Sequence, residues 1–418
     1  MNIHNLYKIY LNHPNICIDS RKAKSNSIFF AIKGKNFNGN KFAKEALKKG
    51  CEYAIVDEEI DDRNERVILV EDCLQTLQKL ASFHRKKLNI PIIGITGSNG
   101  KTTSKELIFS ILSTKYNTHA TKGNLNNHIG VPLSILEICK KTEISIIEMG
   151  ANHIKEISLL SNIAKPNYGI ITNIGKAHLK GFGSLDGVIK AKGELYEYIK
   201  LNNHQIFYNN DDNLLKKISQ NINKITYGSY GDFSGTLLDS KLYAKVLYDK
   251  TEINSKLIGD YQFHNIMLAI SVGKHFNITT NNIKKAIESY IPSNNRSEII
   301  KTTKNTLILD AYNANPTSMR EMIISFSRKK LKNKICILGD MFELGDYSYT
   351  SHKEIIKLTN ELNIKTYYIG EEFKKVSNDS FSSRKDFEVV LSTKNLSNKT
   401  ILIKGSRGVE LEKLVKYL

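Results

Sequence analysis

Short β-branched apolar runs alternate with segments of helical periodicity along most of the chain, and that alternation predicts an α/β protein with largely parallel sheets. Between Pro91 and Pro292 the runs at 92–95, 144–147 and 168–172 read as strands. A helix is expected from Thr102 onward, because Leu107, Ile108, Ile111 and Leu112 make one apolar stripe. After Arg296 the alternation starts afresh, with strand patterns at 307–309, 335–338, 367–369 and 401–403. Ahead of Pro91, strands are expected at 27–32 and 53–56 and a helix at 42–49. The expected organisation is therefore three domains, 1–88, 89–295 and 296–418: a central parallel-sheet domain flanked by a smaller α/β domain on either side.

Composition narrows the class. With 40% hydrophobic and 25% charged residues among 418, the chain is neither disordered nor fibrous. No stretch approaches the roughly 18 apolar residues of a membrane span, and the first residues are too polar for a signal-peptide core. Cys17, Cys51, Cys73, Cys139 and Cys336 are scattered, with no CxxC pair. That pattern argues against a disulfide framework or a cysteine-zinc site and suits a reducing cytoplasm, the compartment we expect.

The net charge of +19 changes the picture less than its size suggests. Only nine of the 61 basic residues are Arg; the 52 Lys are spread over the whole length. Nucleic-acid surfaces cluster Arg and interleave aromatics, so we expect no nucleic-acid partner, although an anionic substrate gains from the field. A basic nucleotide-binding ATPase that acts on nucleic acid stays as the alternative from another class.

The most informative stretch is GITGSNGKTT, 94–103. A β-run ends in a Gly-rich turn and Lys101-Thr102-Thr103 opens a helix. In such a loop Gly97, Ser98, Asn99 and Gly100 curl so that backbone N–H groups face phosphate oxygens. Lys101 neutralises the β- and γ-phosphates, and the Thr102 hydroxyl ligates Mg²⁺. Ile95 stands where the full Walker pattern has Gly or Ala, so this is a shortened variant. Two further strand ends add chemistry. The run 144–147 delivers Glu148 to the carboxyl end of the sheet, where ligands of such folds bind and where a carboxylate can hold Mg²⁺. The run 168–172 leads into a Gly-rich loop carrying His178.

These residues resemble a known family. GITGSNGKTT, EMGANH (148–153), TNIGKAH (172–178) and AKGELYE (191–197) are similar to the Mur ligases, ATP-dependent amide-forming enzymes of peptidoglycan precursor assembly. TKGNLNNHIGVPLSIL (121–136), LILDAYNANPTSM (307–319), GDMFELG (339–345) and IKGSRG (403–408) are similar to the member that adds D-alanyl-D-alanine. The resemblance implies a central ATP-binding domain, an N-terminal UDP-binding domain and a C-terminal Rossmann-like ligase domain. It implies ATP and Mg²⁺ as cofactors, UDP-MurNAc-tripeptide and D-Ala-D-Ala as substrates, and an acyl-phosphate intermediate. The enzyme is expected to act as a monomer.

Residue by residue, the resemblance makes Lys101, His178, Lys192 and Asn313 catalytic, with Thr102, Glu148, His178 and a carbamylated Lys192 around the metal. Thr103, Asn265 of the His264-Asn265 pair, Arg296 and Asp310 become nucleotide contacts. Ser20, Arg21, Asn38, Asn126, Asn127, Asn315 and Lys404 become substrate contacts, with Arg407 beside them. Asn38 and Asn40 depart from the family pattern, which has Asp and His around that glycine. Sister ligases that add a single amino acid to a shorter UDP-peptide, or glutamate to folate, are the nearer alternatives.

Overall fold

A computed structural model describes residues 2–60, 65–240, 242–292, 295–394 and 396–418. Residues 293 and 294 of the polar linker lie outside them. Three large sheets succeed one another along the chain, with a two-stranded antiparallel ribbon of Lys33–Gly34 and Phe37–Asn38 in the first unit. The first holds β1 (Asn15–Cys17), β2 (Ser27–Phe30), β3 (Tyr53–Val56) and β4 (Val67–Leu69), all parallel and in that order. Helices α1 (Ile3–Asn12), α2 (Ala43–Lys48) and α3 (Cys73–Lys87) pack on it.

The central sheet has nine strands. In chain order they are β5 (Ile92–Thr96), β6 (Thr118–Ala120), β7 (Ile144–Glu148), β8 (Tyr168–Ile171), β9 (Gln205–Asn209), β10 (Asn223–Gly228), β11 (Phe233–Leu238), β12 (Tyr243–Tyr248) and β13 (Thr251–Ile258). In space they run β13-β12-β11-β10-β9-β8-β5-β7-β6. Every residue of β5 and β7 is buried, as expected for strands covered on both faces. Helix α4 (Lys101–Leu112) follows β5, and α5 (Leu185–Leu201) and α6 (Gln262–His275) pack nearby.

The expectation of a largely parallel sheet needs one correction here. β12 and β13 form an antiparallel ribbon joined by Asp249 and Lys250, both at positive φ. A two-residue turn of that kind usually announces itself through Asn-Gly or Asp-Gly; this one has no glycine. The ribbon alternates buried and exposed residues, the mark of a half-solvated sheet edge.

The third sheet runs β14-β15-β18-β16-β17, from β14 (Glu298–Lys301), β15 (Thr306–Asp310), β16 (Lys334–Gly339), β17 (Lys365–Ile369) and β18 (Thr400–Lys404). β14 is an antiparallel edge that the sequence reading did not include; the other four are parallel. Helix α7 (Pro316–Arg328) follows β15 and starts from a capping box between Asn315 and Ser318.

Candidate active site

The carboxyl ends of β5, β7, β8 and β9 open into a cavity of about 840 Å³, closed on its far side by the third sheet's loops. Between β5 and α4 the backbone turns at Gly97 (φ +145°) and Gly100 (φ +78°). A Cβ on Gly97 would sit 1.9 Å from Thr172 Oγ1, so only glycine fits. The loop is pinned from beneath: the Thr172 hydroxyl donates to Asn99 O (2.6 Å) and the Ser98 hydroxyl to Gly175 O (3.1 Å). The Lys101 ammonium donates to Gly97 O (2.6 Å), folded over its own loop. Burial pushes its pKa down, Glu148 opposes that and Arg296 adds to it, so Arg296 is close enough to share the same charge environment.

Glu148 ends β7 and is 2% exposed. Its Oε1 accepts from Asn126 Nδ2 (2.8 Å) and from the Thr102 hydroxyl (3.4 Å); its Oε2 has no hydrogen-bond partner. The fully buried Lys105 ammonium lies 3.8 Å from that Oε2 and donates to Thr121 O (2.5 Å). Lys105 went unread in the sequence because its motif partners draw attention to Lys101; the helical spacing from Lys101 to Lys105 was the available signal.

Lys192 on α5 is 1% exposed, with its Nζ 5.4 Å above the Phe182 ring. Burial lowers its pKa to about 7; Lys101 lowers it further, while Glu156 and Glu194 pull it up. Glu194 is itself tied down, accepting from Lys155 N (2.6 Å) and Ser158 N (2.8 Å). His178 stands at φ +52° and lines the cavity, but its Nδ1 meets the carboxylate of Glu343 from the third sheet's side. The proximity of His178 holds the Glu343 pKa below its usual value. The expected metal ligand is thus engaged by a residue that sequence reading left as part of a motif.

The third sheet contributes a wall. Asp310 ends β15 and Lys404 ends β18; the two are in register, and Lys404 Nζ donates to Asp310 Oδ2 (2.5 Å) and Asn313 O (3.3 Å). Asn315 Nδ2 donates to Asn99 Oδ1 (2.7 Å), bridging the third sheet's loop to the phosphate loop. Arg296 stacks on the Tyr312 ring at 3.8 Å, with Arg407 at 5.6 Å from the same ring. Glu321 of α7 also lines the cavity, and burial raises its pKa to about 6.

The single cavity therefore collects Ser98, Asn99, Gly100, Lys101, Thr102, Thr103, Asn126, Asn127, Glu148, His178, Asn265, Arg296, Asp310, Asn313, Asn315 and Lys404. Gly97 and Lys192 lie behind its wall rather than on it. Asn127 spends its carboxamide oxygen on Ile129 N and Gly130 N. Asn265 is likewise committed, donating to Gln262 Oε1 (2.7 Å) and accepting from Ser104 Oγ (3.1 Å). These bonds orient the Asn265 carboxamide and leave one N–H and one lone pair unspent. Asp211 and His264 share the cavity and were given no role from sequence.

Ser20, Arg21 and Asn38 are brought to a different place, the first sheet's rim. Arg21 is held in a two-pronged pair with Asp19, and Ser20 is buried. Asn40, 3% exposed, donates to Asp57 Oδ1 (2.8 Å) and accepts from Asp57 N (3.1 Å), while Asn38 donates to Glu58 Oε2 (2.9 Å). The two departures from the family pattern form an internal brace.

Comparison with known proteins agrees with this geometry along the whole chain. Residues 14–85 match the family model "Mur ligase family, catalytic domain", 95–273 the "Mur ligase middle domain" and 295–407 the "Mur ligase, glutamate ligase domain". The UDP-N-acetylmuramoyl-tripeptide–D-alanyl-D-alanine ligase of Bacillus subtilis is 35% identical, over 96% of this chain and 92% of that protein. Among solved structures, MurF from Acinetobacter baumannii superposes with a TM-score of 0.86 at 29% identity, covering 96% of this chain and 92% of that one. MurF ligase from Thermotoga maritima in complex with ADP also gives 0.86, at 27% identity over 97% of both chains. With three family segments in order and a shared architecture from end to end, the chain belongs to the Mur ligase family.

Proposed function

We propose that the chain joins D-alanyl-D-alanine to the terminal carboxylate of UDP-MurNAc-tripeptide at the expense of ATP. One observation carries the reading: a single cavity brings a phosphate loop and a buried strand-end carboxylate against a wall supplied by the third sheet. A carboxylate is a poor electrophile, and phosphorylation by ATP makes it an acyl phosphate. The γ-phosphoryl group moves to the peptide carboxylate oxygen and ADP leaves. The dipeptide amine then attacks the acyl carbon and expels phosphate. Lys101 and Arg296 neutralise charge that builds on the transferring group, and the loop N–H groups hold its neighbours. Asn313, Asn315 and Lys404 close the cavity and keep water from the acyl phosphate.

The residues fit a hard divalent cation. Glu148 Oε2 is buried without a hydrogen-bond partner, and the Thr102 hydroxyl is beside the same carboxylate. Glu148 and Thr102 would hold Mg²⁺ through their oxygens, with nucleotide phosphate and water supplying the other ligands. Bound there, the ion supplies charge neutralisation at the phosphates. A buried lysine whose pKa is lowered to about 7 has a substantial neutral, nucleophilic fraction near neutral pH, so the Lys192 amine can add CO₂: the N–C bond forms, one N–H proton leaves to solvent, and the product is an anionic carbamate. That change removes the repulsion between Lys192 and Lys101.

No described helix is long and apolar enough to cross a membrane, and the reading carries a cytoplasmic enzyme with it. The test is phosphate release from ATP with UDP-MurNAc-tripeptide, with and without D-Ala-D-Ala. Release that needs both, and a product heavier by the dipeptide, is expected. Preference for a single amino acid or a shorter UDP-peptide would transfer the chain to a sister activity.

A further inference from the structure

We propose that Lys105 makes the metal site conditional on nucleotide: its buried charge offsets Glu148, so a divalent cation is held there only together with the phosphates. The inference rests on the metal reading above. Lys105 lies one helical turn beyond Lys101 on α4, with its side chain wholly buried. Its ammonium donates to Thr121 O (2.5 Å), lies 3.1 Å from Glu106 Oε1 and stands 3.8 Å from Glu148 Oε2. Thr121 ties the two residues together, since its hydroxyl oxygen accepts from Glu148 N (3.0 Å).

The distance to Oε2 decides what the lysine does. At 3.8 Å the ammonium is near enough for Coulomb attraction and too far for a hydrogen bond, so the lone pairs of Oε2 stay open. A lysine bonded to that oxygen would have spent it. Glu106 changes the balance little, because its side chain is 40% exposed and water screens it. Glu148 and Lys105 share a dry interior, at 2% and 0% exposure, where screening is poor. Lys101 feels the same carboxylate from the cavity side. One buried carboxylate thus stands between two ammoniums. A dication entering alone meets no net negative charge, and Lys105 opposes it. Nucleotide phosphates bring the missing negative charge, and the ion is then held as part of a metal–nucleotide pair.

The experiment titrates Mn²⁺, which shares the preference of Mg²⁺ for oxygen, into the intact chain with and without ADP. Electron paramagnetic resonance reads the free ion. The parent is expected to bind Mn²⁺ weakly alone and at least about tenfold more tightly with ADP, after correction for Mn²⁺ bound to ADP in buffer. Lys105→Gln should bind Mn²⁺ alone at least about tenfold more tightly than the parent, so that the factor contributed by ADP shrinks. Lys105→Arg keeps the charge and should stay close to the parent. Adding Glu148→Gln to Lys105→Gln should abolish the gain. The sign is diagnostic: a lysine that merely braces α4 would, once replaced, loosen Mn²⁺ both with and without ADP. If Lys105→Gln folds poorly, Lys105→Met takes its place, and Mn²⁺ alone should raise its melting temperature but not the parent's. Tight Mn²⁺ binding by the parent without ADP, or no gain in either neutral variant, would overturn the proposal. A Glu148→Gln chain that keeps full ADP-dependent Mn²⁺ binding would instead sink the metal reading beneath it.

Discussion

Lys192 shows how burial turns an ordinary side chain into a reagent. An ammonium sealed beneath Phe182 and near Lys101 is disfavoured, and its pKa falls to about 7. The unfolded chain holds that proton up to the ordinary lysine range, so between pH 7 and about 10 it binds more protons than the native state. The lysine's cost is thus fully present below pH 7 and fades as pH rises toward 10. In CO₂-free buffer, Lys192→Met is expected to stabilise the fold by a few kcal/mol (~1.4 per pKa unit) near pH 7 and by much less at pH 10. Melting curves across that range check it; a gain that grows with pH would contradict the burial argument. For activity, Lys192→Ala should abolish ligation and regain part of it with added acetate or formate. Failure of every short carboxylate, with folding and ATP binding intact, would remove the carbamate from the mechanism. Residues of this kind were legible in sequence only through the family motif, since one lysine among 52 carries no mark of its own burial. Asn40 is the reverse case. It stood out as a departure at a substrate loop, but the partner that explains it, Asp57, is 17 positions away.

Strand, phosphate loop and helix form the element whose local sequence says most about its shape. The apolar run 92–95, the glycines and the stripe on α4 each agree with the fold, and the observed bounds differ by a residue. What the element demands can be tested at its glycines. Gly97→Ala puts a methyl into Thr172 Oγ1 and should cost at least ~2 kcal/mol while abolishing nucleotide-dependent stabilisation. Gly183→Ala, also at positive φ (+77°) but with nothing within 4 Å and off the cavity wall, should cost only ~1 kcal/mol and leave nucleotide binding unchanged. Equal losses at the two sites in thermal melts would mean that the close approach to Thr172 is not what selects glycine. Elements fixed by long-range pairing were harder to read. The β12–β13 ribbon turns on Asp249-Lys250, and β14 acquires its strand identity only from β15 beside it. Asp211 and His264 meet across more than fifty residues, a contact that no local period encodes.

At the scale of the whole molecule, the two flanking units are attached by different physics. The first is joined to the central unit through buried polar contacts. Arg85 donates to Ala164 O (2.9 Å), Lys165 O (3.0 Å) and Asn167 Oδ1 (3.0 Å), and the Tyr10 hydroxyl to Leu136 O (2.7 Å). Groups like these are costly to leave unpaired, so that joint is stiff. The third unit meets the central one partly through buried contacts, Asp260 N to Ser325 Oγ (3.1 Å) and Tyr261 against Met322, and partly through more solvated pairs: His178 with Glu343, Lys180 N with Glu343 O (3.0 Å), Lys176 N with Thr317 Oγ1 (3.0 Å), and Asn315 with Asn99. Glu343 is 55% exposed, so its side-chain pair is weak and screened by salt. The Lys329–Asp260 pair (2.7 Å) lies apart from this cluster and would persist when the cluster opens. We expect the third unit to be the one that moves, carrying Asp310, Asn313 and Lys404 relative to the phosphate loop. Glu343→Ala should raise the radius of gyration measured by small-angle scattering in low salt. The same rise should appear in the parent chain on adding about 0.5 M salt, with little further change in the variant. Weakened ADP binding should accompany it, since the third unit's side of the cavity wall departs with Asp310, Asn313 and Lys404. A variant as compact as its parent, with unchanged ADP affinity at both salt concentrations, would show that the contacts of Lys329 with Asp260 and Met322 with Tyr261, and not this pair, hold the third unit closed.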